Sequence, residues 1–485
     1  MKFTSYSFLL FASALLVIYY TAPKRGQWIL LLIANSSFYL WAGVGYLAYI
    51  LFTILTTYAS ARIIGYHQAA YDKKTAKKKN RLWVSLCLIG NFGLLAVCKV
   101  RLTLEHLALP LGISFYIFQS VGYVLDVYRS AAKAERNLLK FALFVSFFPC
   151  LVQGPICKYG QLAPQLTAVH KYDGKQVSFG LQRMLWGYFK KLVIADRISL
   201  AVSVLKGPEY TGMSFLVLTV FYAIQIYGDF TGGIDIAIGF SEALGIQLPE
   251  NFIRPYFSKN IAQYWRRWHI SLGAWMKDYI FYPVSVCAPM RKLSKAARAR
   301  FGNFGKRLPV YAASASAWLA TGIWHGLTPN FILWGMMNCA IIIVSEELTP
   351  LYSKFHTRFH LKEKRWYSVF EMLRMFMLMN LIRIVDLFPN VGTYFHRLGT
   401  MFTSFQVPFM EIGLTGLDYG ILAGGILLMF TFSLIQEKKG SVRELMWNGN
   451  AFVRHALIFG LFLAVLLLGH YGIGYDPGYF IYNQF

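Results

Sequence analysis

Two histidines stand where an apolar chain has no obvious need of them. His269 directly follows Trp265-Arg266-Arg267-Trp268 inside Pro249–Pro283, PENFIRPYFSKNIAQYWRRWHISLGAWMKDYIFYP, a stretch that is aromatic, basic and poor in acids. His325 lies in an apolar run as Thr321-Gly322-Ile323-Trp324-His325-Gly326, with Pro329 and Trp334 close behind. Imidazole has an ordinary pKa of about 6.5, so it can take a proton from a hydroxyl near neutral pH and return it in a later step. The competing reading for each residue alone is a packed histidine in an aromatic belt. Glycines beside His325 would let a ligand approach it, and the pair together favours one proton-transfer site within a membrane.

Other polar groups fall in apolar surroundings. Tyr227-Gly228-Asp229-Phe230-Thr231-Gly232-Gly233-Ile234-Asp235 follows an apolar run, and Gln153 lies in Phe148-Pro149-Cys150-Leu151-Val152-Gln153-Gly154-Pro155. Both segments carry helix breakers, and broken backbone at membrane depth is tolerated only where it is buried in protein or lines a wet cavity. Ionisable groups at that depth are functional candidates. The structural alternative has Asp229 and Asp235 capping short helices or pairing with Arg254, Arg266 or Arg267. No GxSxG elbow, P-loop or HExxH motif occurs, and the remaining histidines, His106 among them, form no metal-ligand pattern. The six cysteines form no CxxC pair and read as buried free thiols, so no metal site is expected.

The composition says what must position these residues. Of 485 residues, 56% are hydrophobic and only 14% charged, where a soluble chain carries about a quarter. The mean hydropathy is +0.45. Apolar runs from near 6–22 to 452–471 recur at bilayer-spanning length, so the chain reads as an all-α polytopic membrane protein with roughly eleven transmembrane helices and some re-entrant or interfacial segments. A single membrane domain over residues 1–485 is expected. The net charge of +26 does not point to nucleic acid, because the Lys and Arg cluster in loops beside apolar runs and suit anionic headgroups. Lys24-Arg25 and the basic loop Lys73–Arg81 are separated by two spans and fall on one side, the cytoplasmic one, which leaves the N-terminus outside. Arg291–Arg307 belongs to the same side, so a helix rising from Leu308 carries His325 about 25 Å away from it. Pro249–Asn260 then suits a helix lying along the cytoplasmic interface, and Trp265, Trp268, His269 and Leu272 fall on one apolar arc if that segment is helical.

With these residues in view, the chain resembles the membrane-bound O-acyltransferase family, and within it the bacterial branch that contains alginate O-acetyltransferase and the D-alanyl transferase of teichoic acids. The resemblance rests on Gln153-Gly154-Pro155-Ile156, DFTGGIDIAIGF, LPENFIRPY, YWRRWHISLGAWMKDYIFYP, TGIWHG, FILWG and the terminal YFIYNQF, in the family's order from about residue 110 onward. It departs from the branch at Gly232-Gly233-Ile234, at Gly335-Met336-Met337-Asn338 and at Lys158.

The resemblance implies a ring of transmembrane helices around a central tunnel in a bacterial cytoplasmic membrane. It makes His325 the catalytic histidine, His269 its assistant and Asp229 an acidic position of the site. Trp265, Trp268, Trp324 and Gln153 become candidates for holding donor or acceptor. Lys259, Arg266 and Arg267 are expected at a cytoplasmic donor gate, where basic charge would draw in the phosphates of acyl-CoA or an acidic acyl carrier protein. No bound cofactor is implied. The acyl group, acetyl as first choice, would go to a cell-envelope polysaccharide with an extracytoplasmic SGNH-type partner. D-alanyl transfer or lipid O-acylation are the alternatives within the family, and a transporter or flippase is the alternative outside it.

Overall fold

A computed structural model of the protein describes residues 2–105 and 107–471, so His106 and the terminal YFIYNQF lie outside the described residues. Lipid offers no partner to a backbone N–H or C=O, so an apolar chain must satisfy both within its own helices. Among the described residues the elements are helical, apart from one isolated antiparallel bridge between Phe252 and Trp268.

The helices that bear on function are α1 (Leu47–Ala70), α2 (Lys73–Glu105), α3 (Gly174–Tyr188), α4 (Met213–Ala243), α5 (Ile261–Trp265) and α6 (Ile270–Met276). They continue as α7 (Leu308–His325), α8 (Pro329–Glu347), α9 (Arg365–Arg383), α10 (Gly416–Lys439) and α11 (Ala451–Leu468). Among the described residues, α1, α2, α4, α8, α10 and α11 are the six helices long and apolar enough to cross a membrane. Two further apolar helices, Tyr6–Thr21 and Gln27–Ala42, are shorter, with 16 residues each. Helix α11 buries none of its residues, as an apolar helix facing lipid would. The chain is a multi-pass membrane protein.

The residues group into two units. One comprises 1–193, 228–249 and 441–485, and the other 194–227 and 250–440.

In the first unit, the glycines after Tyr227 do not break the backbone as expected; α4 runs through them as continuous helix. Their use is close approach. A Cβ on Gly232 would stand 2.8 Å from the Gly187 carbonyl oxygen, and one on Gly239 would stand 2.6 Å from that of Gly180. Two glycine pairs seven residues apart thus let α3 and α4 touch backbone to backbone. Without a hydrophobic driving force between helices in lipid, such contact is what holds them together.

In the second unit, α7 and α8 form a hairpin joined by residues 326–328, with proline just inside the start of each helix, where its missing N–H costs nothing. A Cβ on Gly322 would meet the Phe331 carbonyl oxygen at 2.5 Å, and one on Gly335 would meet that of Trp318 at 2.5 Å. A Cβ on Gly326 would strike the Phe331 ring at 2.2 Å. The glycines around His325 therefore serve the helix seam, and the sequence reading of them as ligand space is corrected. His325 ends α7, at the corner of the hairpin.

Candidate active site

The segment before His269 is not the interfacial helix expected of it. Only Pro255–Phe257 makes a turn of 3-10 helix, after Arg254 takes a left-handed conformation at φ 47°. Two prolines without N–H groups and this left-handed residue prevent a longer helix. The strand-like stretch pairs instead with the chain after α5: Ile253 N–H donates to the Arg267 carbonyl at 2.9 Å and Ile270 N–H to that of Asn251 at 3.0 Å. Helix α5 starts on the side chain of Asn260 and ends at Trp265, so the single apolar arc through Trp265–Trp275 is also corrected. His269 lies between α5 and α6 at φ 47°, ψ 52°, an uncommon left-handed setting for a non-glycine residue.

Asn251 holds that setting. Its Oδ1 accepts from the Ser271 backbone N–H at 3.0 Å and from the Ser271 hydroxyl at 2.9 Å, and lies 3.4 Å from His269 Nδ1. The backbone N–H can only donate, so the facing Asn251 atom is the oxygen. An oxygen acceptor there favours the proton on Nδ1 and leaves Nε2 the basic nitrogen. Burial, and then the positive charge of Arg383, hold His269 below the ordinary imidazole range. His269 is neutral near pH 7.

His325 is equally enclosed, at 2% exposure against 3% for His269. Trp324 and Trp334 each meet its ring edge-on at 4.9 Å, and Phe331 stacks at 6.3 Å. Trp324 also lies 6.0 Å from the His269 ring. The two histidines thus share one indole. Trp265 packs on Trp318 at 4.7 Å and Trp334 at 5.9 Å, and Trp268 meets Phe252 at 5.0 Å. Of the candidates from sequence, His269, His325, Trp265, Trp268 and Trp324 come together through these contacts.

The basic candidates divide. Arg254 and Arg267 both pair with Glu437 near the end of α10. The Lys259 ammonium donates to the Ser368 hydroxyl at 2.9 Å, and Arg266 is exposed. Asp229 and Gln153 belong to the first unit. Asp229 pairs there with Lys191, and Asp235 with Lys190 at 2.7 Å and Arg183 at 2.9 Å, which replaces the expected arginine partners. These cations come from α3 and the π-helical turn Phe189–Ala195 that follows it, segments brought against α4 by the glycine seam. Gln153 is fully buried just after the helical turn Phe148–Val152.

Four residues of this site escaped the sequence reading of roles: Asn251, Trp334, Arg383 and Asp386. Trp334 was visible only as a nearby indole. Arg383 and Asp386 form an ion pair at 3.2 Å across one helical step, a spacing legible in Arg383-Ile384-Val385-Asp386 at the end of an apolar run. Asn251 has no local signal beyond its proline-punctuated neighbours.

The sequence model of the membrane-bound O-acyltransferase family matches residues 29–385, a span containing both histidines, Asn251 and Arg383. The chain belongs to the membrane-bound O-acyltransferase family. It is 35% identical over 354 residues to a protein of Pseudomonas syringae pv. tomato named as a probable alginate O-acetylase, AlgI, covering 69% of this chain and 64% of that one. It is 31% identical over 369 residues to the peptidoglycan O-acetyltransferase of Helicobacter pylori, covering 67% and 66%. With the teichoic acid D-alanyltransferase of Bacillus subtilis it shares 27% over 265 residues, covering 53% and 64%. The chain thus spans a little under two thirds of the length of the Pseudomonas relative.

Proposed function

We propose that this protein is a membrane O-acyltransferase of a bacterial cytoplasmic membrane, moving an acyl group from a cytosolic thioester to a hydroxyl of a cell-envelope polysaccharide. The observation that carries the reading is the burial of two histidines against a shared indole, Trp324, in a chain of this family. His325 acts as general base. As the acceptor oxygen bonds to the thioester carbon, its proton passes to the imidazole; the tetrahedral oxyanion then collapses, the carbon–sulfur bond breaks, and the departing thiolate takes that proton. Ester and thiol are the products. His269, neutral and oriented by Asn251, positions the reacting groups.

The relatives named as O-acetyltransferases of alginate and of peptidoglycan support acetyl as the acyl group. The teichoic acid relative supports D-alanyl as the second reading. The donor is acyl-CoA or an acyl carrier protein, drawn to basic side chains that include Arg266 and Lys259. An extracytoplasmic SGNH-type partner finishes the transfer.

Purified protein in nanodiscs, given radiolabelled acetyl-CoA, acetyl-carrier protein or the D-alanyl carrier thioester, tests this directly. The expected result is release of free thiol with one donor class and its loss in His325→Ala. Normal transfer by a folded H325A protein would end the mechanism, and inactivity with every donor would end the reading.

A further inference from the structure

Two buried polar atoms near His325 have no task in the transfer chemistry, and they are of opposite kinds. Asn338 is fully buried on α8. Its Nδ2 donates to the Trp334 carbonyl at 2.8 Å. A carbonyl can only accept, so the facing atom of the amide is the nitrogen and Oδ1 points elsewhere. Trp265 ends α5, a helix that packs against α8, and its indole Nε1–H can only donate. Asn338 Oδ1 and Trp265 Nε1 are both buried, and neither has a hydrogen-bond partner among the described residues. A buried polar group left unpaired weakens a fold, so each such atom calls for a reason.

The hairpin of α7 and α8 brings the two to one level. Asn338 lies four residues beyond Trp334, about 6 Å along the helix and on the same face. Contacts across the hairpin bracket it. Gly335 lies against the Trp318 carbonyl on one side, and Cys339 Sγ lies 3.7 Å from the Ser314 hydroxyl on the other. Trp265 packs on Trp318 at 4.7 Å and on Trp334 at 5.9 Å, so its indole covers the same level. Trp334 in turn meets the His325 ring at 4.9 Å. Asn338 therefore stands one helical turn beyond the indole that touches the histidine, towards the base of the hairpin, where Arg307 pairs with Glu347. That base adjoins the basic run Arg291–Arg307, which the sequence assigns to the cytoplasmic side.

We infer that Asn338 and Trp265 form a clasp for a secondary amide, and that this amide is the one nearest the sulfur in a pantetheine thioester. The inference rests on the acyl-transfer reading for the identity of the donor. A secondary amide presents one N–H and one C=O, the complement of a single acceptor beside a single donor. The Asn338 oxygen accepts from the amide N–H, and the Trp265 N–H donates to the amide oxygen. Only two methylenes separate that amide nitrogen from the sulfur, a reach that fits the turn of helix between Asn338 and Trp334. With the amide held there, the thioester carbon comes to rest beside His325. No bond of the amide is made or broken; the clasp sets the register of the donor, and register is what brings reacting atoms together. Acyl-CoA and acyl carrier protein share this arm, so the pair selects for pantetheine and not between its two carriers.

The probes are S-acetyl-N-acetylcysteamine, a minimal thioester that carries this amide, and S-acetyl-2-mercaptoethyl acetate, its oxygen-ester analogue, which keeps the carbonyl and has no N–H. Thiol release by the wild-type protein in nanodiscs should favour the amide by about a hundredfold or more in kcat/KM, because a site built around an N–H rejects the analogue that leaves its acceptor unpaired. Asn338→Leu should erase that preference, with the amide falling to the level of the ester. Trp265→Phe keeps an aromatic ring and removes the N–H. It should raise KM for both probes by about tenfold, the worth of one hydrogen bond, and leave their ratio unchanged. Acetyl-CoA and acetyl-carrier protein, assayed beside the probes, show which carrier brings the arm, and KM for that one should rise in N338L. A wild-type protein that uses both probes equally overturns the inference without any variant. So does an N338L protein that keeps the full preference. Binding decides the matter apart from turnover: the nitrogen-15 indole signal of Trp265, assigned with W265F, should move when N-acetylcysteamine is added. Should the wild type release no thiol from any thioester, the functional reading fails; a shifted indole signal then still supports the clasp, and an unmoved one overturns it.

Discussion

A hydrogen-bond acceptor beside an imidazole decides which nitrogen keeps the proton, and here the acceptor is Asn251. Its Oδ1 also binds both donors of Ser271, so removing it costs the His269 orientation and leaves buried donors unpaired. Asn251→Ala is expected to lower stability by about 1–3 kcal/mol, the cost of orphaned buried donors, and to reduce turnover at every pH. Asn251→Asp separates the two effects, because it keeps an oxygen in place and adds a charge. A carboxylate beside Nδ1 raises the affinity of His269 for a second proton, so activity should fall as pH falls and return as pH rises. Turnover against pH for the two variants checks this: a flat loss for N251D would mean that His269 need not be neutral. The candidate histidines and tryptophans were legible in the sequence because residue type alone marks them. Asn251 and Arg383 were not, since only the folded chain brings one to His269 Nδ1 and the other against Trp334.

At the scale of elements, helical segments and their order could be read from the apolar runs, whereas the meaning of the glycines could not. Gly232 looks like a breaker in a one-dimensional reading, yet α4 is unbroken through it, and together with Gly239 it mates with Gly187 and Gly180 of α3. A like inversion applies at Gly322 and Gly326, read as ligand space, which pack against Phe331 in the seam that seats His325. The interfacial helix expected over Pro249–Asn260 failed for a related reason: pairing with the chain after α5 satisfied its backbone in another way. Gly187→Leu and Gly322→Leu should therefore separate helices that now touch, costing about 1–3 kcal/mol or more by overpacking. Gly424→Ala in α10 meets nothing within 4 Å and should be neutral or stabilising, by about 1 kcal/mol at most. Thermal stability of the three variants in detergent, followed by size-exclusion fluorescence, tests the contrast. Equal midpoints for all three would show that the close contacts carry no weight.

At the scale of the whole molecule the question is how a chain with a net charge of +26 chooses where an anionic donor arrives. A general surplus of Lys and Arg gives attraction without direction, and a carboxylate set among the cations of one face can tune it. Glu437 does this by accepting from both Arg254 and Arg267, which leaves Arg266 the exposed cation of that sequence cluster. If this face meets the thioester donor, then Glu437→Gln releases two guanidinium groups and raises the local charge by one. Steering by clustered charge then lowers KM for acyl-CoA several-fold at low salt. Arg266→Ala should move KM in the opposite direction with turnover unchanged, because the residue attracts the donor and takes no part in bond making. Both effects should fade at about 1 M salt, where the screening length shrinks to about 3 Å and exposed charges cease to act at a distance. Steady-state kinetics of the two variants at low and high salt distinguish this from a structural role for the Glu437 pair: a loss of stability with KM unmoved at low salt would place the donor entrance elsewhere on the protein.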